Sequence, residues 1–167
     1  VIIRPHPQSF TSEKDIIDDL MAKFPDSDKL QWNRDSDNFD VLNEADILIS
    51  DFSGVIFDFT LVFNKPVIYT EPNYDKSQYD CAWDDVELWT MDILPKIGRE
   101  LTKDNFEHIE DLVKECLSGS AAEDLAKGRD LAREQTWYDI GNGAKNVTDY
   151  LLAKHEKLTA PSHKKKA

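Results

Sequence analysis

Short apolar runs alternate with longer amphipathic stretches over residues 1–70 of the chain. Residues 1–4 form a β-branched run that Pro5 ends, residues 47–49 are continuously apolar, and residues 67–69 resume an extended run. Such runs predict strands, and an uninterrupted apolar run is typical of a parallel strand covered on both faces. Residues 30–33 predict a further strand.

Between these strands the apolar positions recur with helical spacing. Ser12 is the expected N-cap of a first helix whose apolar residues share one face: Ile16, Ile17, Leu20, Met21 and Phe24. Residues 39–45 predict a short helix capped by Asn38, and the apolar segment after Ser53 predicts a buried helix capped by that serine. This alternation predicts an α/β fold, a Rossmann-like three-layer domain with a parallel sheet.

The second half of the chain has a mainly helical pattern. Thr102 opens an amphipathic stretch that runs to Leu117, residues 121–135 predict another helix, and a last helix follows Gly143. Residues 71–100 lack a clear period, and only a strand near residues 86–91 is predicted there. We expect residues 1–157 to form the domain and residues 158–167 to be a disordered, lysine-rich tail.

Composition narrows the class of protein. The chain has 167 residues and a formal net charge of −13, which argues against nucleic acid or an anionic membrane surface as the main partner. No apolar run approaches the roughly 20 residues of a membrane span, so we expect a cytoplasmic location. The first residues read as a strand already under way, which favours a fragment of a larger protein. Cys81 and Cys116 have no metal-ligand spacing and are expected to be plain thiols.

The first segment with chemical potential is Arg4-Pro5-His6-Pro7, which follows a predicted strand. Open α/β sheets bind ligands at the carboxyl ends of their strands, and prolines on both sides of His6 restrict its backbone. Arg4 can contact phosphate oxygens through two N–H groups, and His6 can donate to them or move a proton. A surface arginine and an incidental loop histidine remain the alternative reading of this tetrapeptide.

The second segment is the strand-to-helix turn at residues 50–55. Unpaired backbone N–H groups and the helix dipole favour an anion at such a turn, and Gly54 would let a phosphate approach. The alternative, given equal weight, is that Ser53 is an ordinary N-cap and the turn binds no anion. Asp58, further along the same helix, can face a ligand or simply favour the dipole.

Two other segments are weaker candidates. Gly141-Asn142-Gly143 precedes a helix and is a second candidate loop for phosphate or substrate, although most such clusters are turns. An acidic group fits no calcium-loop pattern and reads as a solvated face, so no metal site is predicted. Its members are Asp75, Asp80, Asp84, Asp85 and Glu87.

Taken in order, these segments resemble the C-terminal half of the CDP-glycerol glycerophosphotransferase family, across roughly residues 1–152. The residues that carry the resemblance are 1–7, 45–59, 65–69 and 139–143. The resemblance implies a GT-B architecture of two Rossmann-like domains, of which this chain would be the donor-binding one and the N-terminal domain would be missing. It implies no cofactor.

The resemblance also implies an activity and the residues that serve it. Glycerol phosphate, or a similar polyol phosphate, would pass from a CDP-alcohol to a hydroxyl of a lipid-linked or glycan acceptor, at the cytoplasmic face of the membrane in teichoic-acid or cell-surface polymer synthesis. His6 matches the family's essential histidine, and Arg4 is placed to meet the pyrophosphate. Asp51 and Ser53, with Gly54, Val55 and Asp58, match the turn and helix that would hold the donor.

This sequence departs from the family's pattern within that turn. Phe52 replaces the usual tyrosine and Gly54 the second serine, so two hydroxyl donors are absent while the backbone amides remain. The alternatives are therefore a GT-B glycosyltransferase domain that uses a nucleotide sugar, or a non-catalytic binding domain that has kept the fold.

Overall fold

The computed structural model describes residues 1–51, 53–70 and 88–159. The chain divides into two compact units, Val1–Asp46 and Ile47–Ala167. Every strand pairing among the described residues is parallel, and helices separate consecutive strands. This arrangement confirms the predicted α/β, Rossmann-like class, with the strands distributed over two small sheets.

The first unit is a βαβ element followed by a short helix. Its elements are β1 (Ile2–Ile3), α1 (Ser9–Ser12), α2 (Lys14–Lys23), β2 (Gln31–Trp32) and α3 (Phe39–Glu44). Ile3 pairs with Trp32, so the two strands end at the same edge. The indole N–H of Trp32 donates to the carbonyl of Phe24 at 2.7 Å, which ties β2 to the end of α2.

Two predicted caps in this unit are wrong. Ser12 ends α1 instead of opening α2, and its hydroxyl donates to the carbonyl of Gln8 at 3.1 Å. Asn38 precedes α3 without capping it; the Asp37 carboxylate accepts the Phe39 N–H at 2.9 Å in its place. At α3 a neighbouring polar residue satisfies the helix start that sequence spacing assigned to Asn38, whereas α2 begins without a side-chain cap.

The second unit contains a three-stranded sheet in the order β3 (Leu48–Ser50), β4 (Val67–Tyr69) and β5 (Gly98–Glu100). Helix α4 (Val55–Phe57) runs directly into a π-helical segment (Asp58–Val62) between β3 and β4. α5 (Trp89–Ile97) precedes β5, and three helices follow it: α6 (Ile109–Leu117), α7 (Gly119–Thr136) and α8 (Gly143–Thr159).

The core of the second unit lies around β4 and the helices that pack on it. The predicted extended run at residues 67–69 forms β4, and all three of its residues are buried. One face of the sheet packs against α6 and α7 in a shared apolar cluster. Its buried members are Ile68, Leu101, Cys116 and Leu125, and Ile47, Ile109, Leu112 and Val113 pack against them. Burial raises the pKa of the Cys116 thiol. Cys81 lies outside the described residues.

Several predictions for the second unit need correction. The strand near residues 86–91 is wrong where the structure describes it, because Trp89 begins α5. β5 was not predicted at all. Thr102 does not open a helix; a 3₁₀ turn (Phe106–His108) precedes α6. Ile49, expected to be covered on both faces of its strand, is 47% exposed.

The last helix carries no buried residue, although its apolar positions follow the predicted spacing. α8 continues through Thr159, and the rest of the predicted tail, residues 160–167, lies outside the described residues. No helix of the described ranges combines the length and apolar character that crossing a bilayer requires.

Candidate functional site

Arg4 follows β1 and joins the ends of the two strands of the first unit. Its Nε donates to Asn33 Oδ1 at 3.1 Å, and its Nη2 donates to the carbonyls of Asp35 and Ser36 at 2.8 and 3.3 Å. These acceptors follow β2, so the guanidinium holds the loop at the carboxyl edge of the sheet. The third guanidinium nitrogen of Arg4, Nη1, has no hydrogen-bond partner among the described residues and is free to contact a ligand.

His6 is exposed and held by its own turn. Its Nδ1 accepts the Gln8 N–H at 3.2 Å, and its carbonyl accepts the Ser9 N–H at 2.9 Å. Because Nδ1 accepts a hydrogen bond, the neutral imidazole carries its proton on Nε2. The turn therefore presents Nε2–H as a hydrogen-bond donor to solvent.

A groove of about 410 Å³ lies along β2 and α3 in the same unit. Four carboxylates line it, those of Asp35, Asp37, Asp40 and Glu44. Such a wall repels phosphate, so the groove itself does not suit a pyrophosphate. Within the described residues, no cluster of three or more His, Cys, Asp or Glu side chains is arranged to hold a metal ion.

The turn between β3 and α4 forms the candidate anion site of the second unit. The Asp51 carboxylate accepts the Ser53 N–H at 3.0 Å, and α4 begins after Gly54 without a side-chain cap. The prediction that Ser53 caps the helix is therefore wrong. The Ser53 hydroxyl and the N–H groups of Gly54 and Val55 make no hydrogen bond to a described residue, so they remain available to an incoming oxygen.

Neither backbone conformation nor close packing requires a glycine at position 54. Its φ of −54° is open to any residue, and a Cβ at this position would meet nothing within 4 Å. A side chain would extend into open space beside the helix start, which is where an anion would have to sit. Asp58 lies on the following helical turn and is exposed.

The second candidate loop is an internally bonded turn at the start of α8. Both carboxylate oxygens of Asp139 accept side-chain amides, from Asn142 at 2.8 Å and Asn146 at 2.7 Å, and these bonds lower its pKa. Gly141 has a φ of +86°, which only glycine adopts without strain. The structure of the turn thus explains the glycine at position 141 and the asparagine at position 142. Gly143 is the first residue of α8, and its N–H lies at the helix start.

Arg129 and Arg133 of α7 were not singled out from the sequence. Arg133 Nε donates to the carbonyl of Leu61 at 2.8 Å, and Arg129 Nε donates to Asn64 Oδ1 at 3.1 Å. Their spacing of four residues, which places both on one face of the predicted helix, is the sequence feature that could have indicated them. Both contact the end of the helical segment that begins at the Gly54 turn.

A family model described as CDP-glycerol:poly(glycerophosphate) glycerophosphotransferase matches residues 1–153. No curated protein and no solved structure matches the chain. The family match covers nearly the whole chain, including the segments at residues 4–7 and 50–58, and it confirms the resemblance found in the sequence. The chain therefore belongs to the CDP-glycerol:poly(glycerophosphate) glycerophosphotransferase family of transferases.

Proposed function

We propose that this chain is the donor-binding, C-terminal half of a two-domain GT-B transferase, with residues 1–157 forming that domain and an N-terminal domain supplied by the same polypeptide. The proposal rests on the family match and on the parallel strand–helix alternation of both units. Its substrate is CDP-glycerol or a related CDP-alcohol, and its acceptor is a hydroxyl on a lipid-linked or glycan chain.

The proposed reaction is a phosphoryl transfer. The acceptor oxygen attacks the phosphorus that bears glycerol, the bond from that phosphorus to the bridging oxygen breaks, and CMP leaves with the electron pair. The acceptor hydroxyl releases its proton to solvent in the same process. Such a reaction depends on positioning and on stabilising negative charge, which hydrogen-bond donors supply.

His6 is the proposed catalytic residue, and its geometry is the observation that best supports the function. Nδ1 is engaged by the Gln8 N–H, so Nε2–H is the group that faces solvent. We propose that this donor contacts the pyrophosphate and stabilises the charge that develops on the departing CMP. Arg4 supports it by fixing the strand-end loop, with Nη1 as its remaining contact to phosphate.

The turn at residues 51–55 is the proposed donor-phosphate site of the second unit. The Ser53 hydroxyl and the Gly54 and Val55 amides supply donors, and the partial positive charge of the helix start adds attraction. Asp51 holds the turn through the Ser53 N–H. Asp58 is proposed to face the nucleotide, and Gly141, Asn142 and Gly143 to form a second substrate loop.

We place the reaction in teichoic-acid or similar cell-surface polymer synthesis, at the cytoplasmic face of the membrane. The family description, which names poly(glycerophosphate), supports this assignment. Nucleotide-activated donors are cytoplasmic metabolites, and a growing glycerophosphate chain supplies the acceptor hydroxyl.

The phosphate turn is tested by Gly54→Ala. We expect CDP-glycerol to bind about tenfold more weakly, a loss of about 1.4 kcal/mol, because the added methyl group takes the space of a phosphate oxygen. The melting temperature should change little, since that methyl group meets no protein atom. Isothermal titration with CDP-glycerol measures the first effect and thermal unfolding the second.

Gly143→Ala is the comparison variant, because it also adds a methyl group in open space at a helix start, but in the proposed second substrate loop. Since the donor phosphate is assigned to residues 51–55, CDP-glycerol binding should weaken less in this variant than in Gly54→Ala. If Gly143→Ala weakens CDP-glycerol binding and Gly54→Ala does not, the donor phosphate lies at the second loop, and the assignment to residues 51–55 is wrong.

A further inference from the structure

The helical segment that starts at the proposed phosphate turn is held at its far end. α4 and the π-helical segment run from Val55 to Val62, and Asn64 ends the helix with a left-handed φ of 57°. The Asn64 N–H donates to the Thr60 carbonyl at 3.1 Å. The last carbonyls of a helix have no N–H donor within the helix, so the carbonyls after Thr60 can accept hydrogen bonds from other groups.

Two arginines of α7 supply those groups. Arg133 donates from Nε to the Leu61 carbonyl at 2.8 Å and from Nη2 to the Val62 carbonyl at 3.4 Å. Arg129, one turn earlier on the same face, donates to the Asn64 side chain at 3.1 Å. Positive charge at a helix C-terminus complements the dipole, so both guanidinium groups stabilise the segment in one orientation.

The aromatic ring of Trp137 makes a second contact with the guanidinium of Arg133. The guanidinium carbon lies 5.2 Å from the ring centroid, within the range of a cation–π contact. Arg129 and Arg133 lie four residues apart on one face of α7, and Trp137 directly follows the last residue of that helix. The guanidinium of Arg133 is therefore restrained by the helix that carries it and by the carbonyls it contacts.

This junction is built at a cost in stability. Arg129 is 8% exposed and forms no ion pair with a described residue. Its Nη1 and the Thr60 hydroxyl are buried, and neither has a hydrogen-bond partner among the described residues. Buried groups of this kind are costly, and sites that break packing rules are often functional. π-Helical segments likewise occur frequently at functional sites.

We propose that Arg133, supported by Arg129, is a positioning residue for the donor phosphate turn. The segment from Val55 to Val62 is about 12 Å long at the α-helical rise, so a tilt of about 10° at the held end moves the other end by about 2 Å. Displacements of about 1 Å are enough to impair a positioned site. The inference rests on the proposed function, since it needs the turn at Gly54 to hold the donor.

The test compares Arg133→Ala with Leu125→Ala. Leu125 is a buried residue of the same helix that contacts the core instead of the helical segment, so its variant reproduces a loss of stability without the loss of the contact. Two readouts are needed: the ¹H–¹⁵N heteronuclear NOE of Gly54 and Val55 in the unliganded chain, and the dissociation constant of CDP-glycerol.

Both readouts are measured at a temperature below the melting temperature of every variant. Arg133→Ala should lower the NOE of Gly54 and Val55 and weaken CDP-glycerol binding about tenfold. Leu125→Ala should lower the melting temperature more and leave both readouts near wild type. Arg133→Lys, which keeps the charge but cannot contact both carbonyls in the same geometry, should fall between the two and serves if the alanine variant does not fold.

The outcomes separate this inference from the proposed function. If the wild-type chain binds CDP-glycerol and Arg133→Ala binds it equally well, the positioning role is wrong and the function stands. If the wild-type chain binds no cytidine nucleotide, the function is wrong, and the NOE still decides whether Arg133 orders the turn. If Leu125→Ala reduces both readouts as much as Arg133→Ala, the effect is one of general stability and the inference is overturned.

Discussion

Replacing His6 by alanine in the protein that carries both proposed domains is expected to lower glycerophosphotransferase turnover by about a hundredfold to ten-thousandfold, the range typical of a lost proton-transfer or charge-stabilising side chain. The fold should be retained, because His6 is exposed and its imidazole accepts a single hydrogen bond, from the Gln8 N–H. Release of CMP from CDP-glycerol in the presence of acceptor measures the activity, and thermal unfolding measures the fold.

Two further variants separate the role of Nε2–H from that of the turn. His6→Asn keeps an acceptor near the position of Nδ1 but removes Nε2–H, so it should be as inactive as the alanine variant. His108→Ala removes another exposed histidine, which faces Asp111, and should leave turnover unchanged. Turnover of a folded His6→Ala protein within about threefold of wild type would exclude a catalytic role for His6.

Replacing Gly128 by alanine is expected to destabilise the second unit by about 3 kcal/mol. Gly128 lies in the middle of α7, where a Cβ atom would stand only 1.9 Å from the Lys96 carbonyl oxygen of α5. That atom belongs to the backbone, so the two helices must separate to make room. The clash outweighs the roughly 1 kcal/mol that alanine gains over glycine within a helix.

Thermal unfolding should show the loss as a fall of about 6 to 12 °C in the melting temperature. Gly54→Ala is the matched control, since the same methyl group meets nothing within 4 Å there and should leave the melting temperature close to wild type. A Gly128→Ala protein as stable as wild type would mean that α5 and α7 do not pack as closely as described.

The sequence predicted those elements whose apolar pattern agrees with their final environment. β4 is buried throughout and α7 is long and amphipathic, so both were predicted near their observed bounds. α5 was missed because Trp89 and Thr90 favour a strand locally and Pro95 usually interrupts a helix. Burial of Ile93, Leu94 and Ile97 stabilises the helix despite these local preferences, and that burial depends on contacts distant in sequence.

The candidate site was predictable in position but not in its hydrogen bonds. His6 follows a strand end and Gly54 precedes a helix, as the motifs indicated. Spacing alone could not tell that the Asp51 carboxylate would accept the Ser53 N–H while the Ser53 hydroxyl caps no helix N–H, since both side chains are good acceptors at a helix start. The contacts of Arg133 with Leu61 and Val62 join residues about seventy positions apart, which no local pattern reveals.

The most direct test of the central claim is the melting temperature of this chain in the presence of CMP, CDP-glycerol, UDP and UDP-sugars. We predict a rise with the cytidine compounds alone, of about 5 to 10 °C at a hundredfold excess over the dissociation constant, and its loss in His6→Ala. A rise with uridine nucleotides in their place, or no rise with any of them, would contradict the assignment of this chain as the binding domain for a CDP-alcohol.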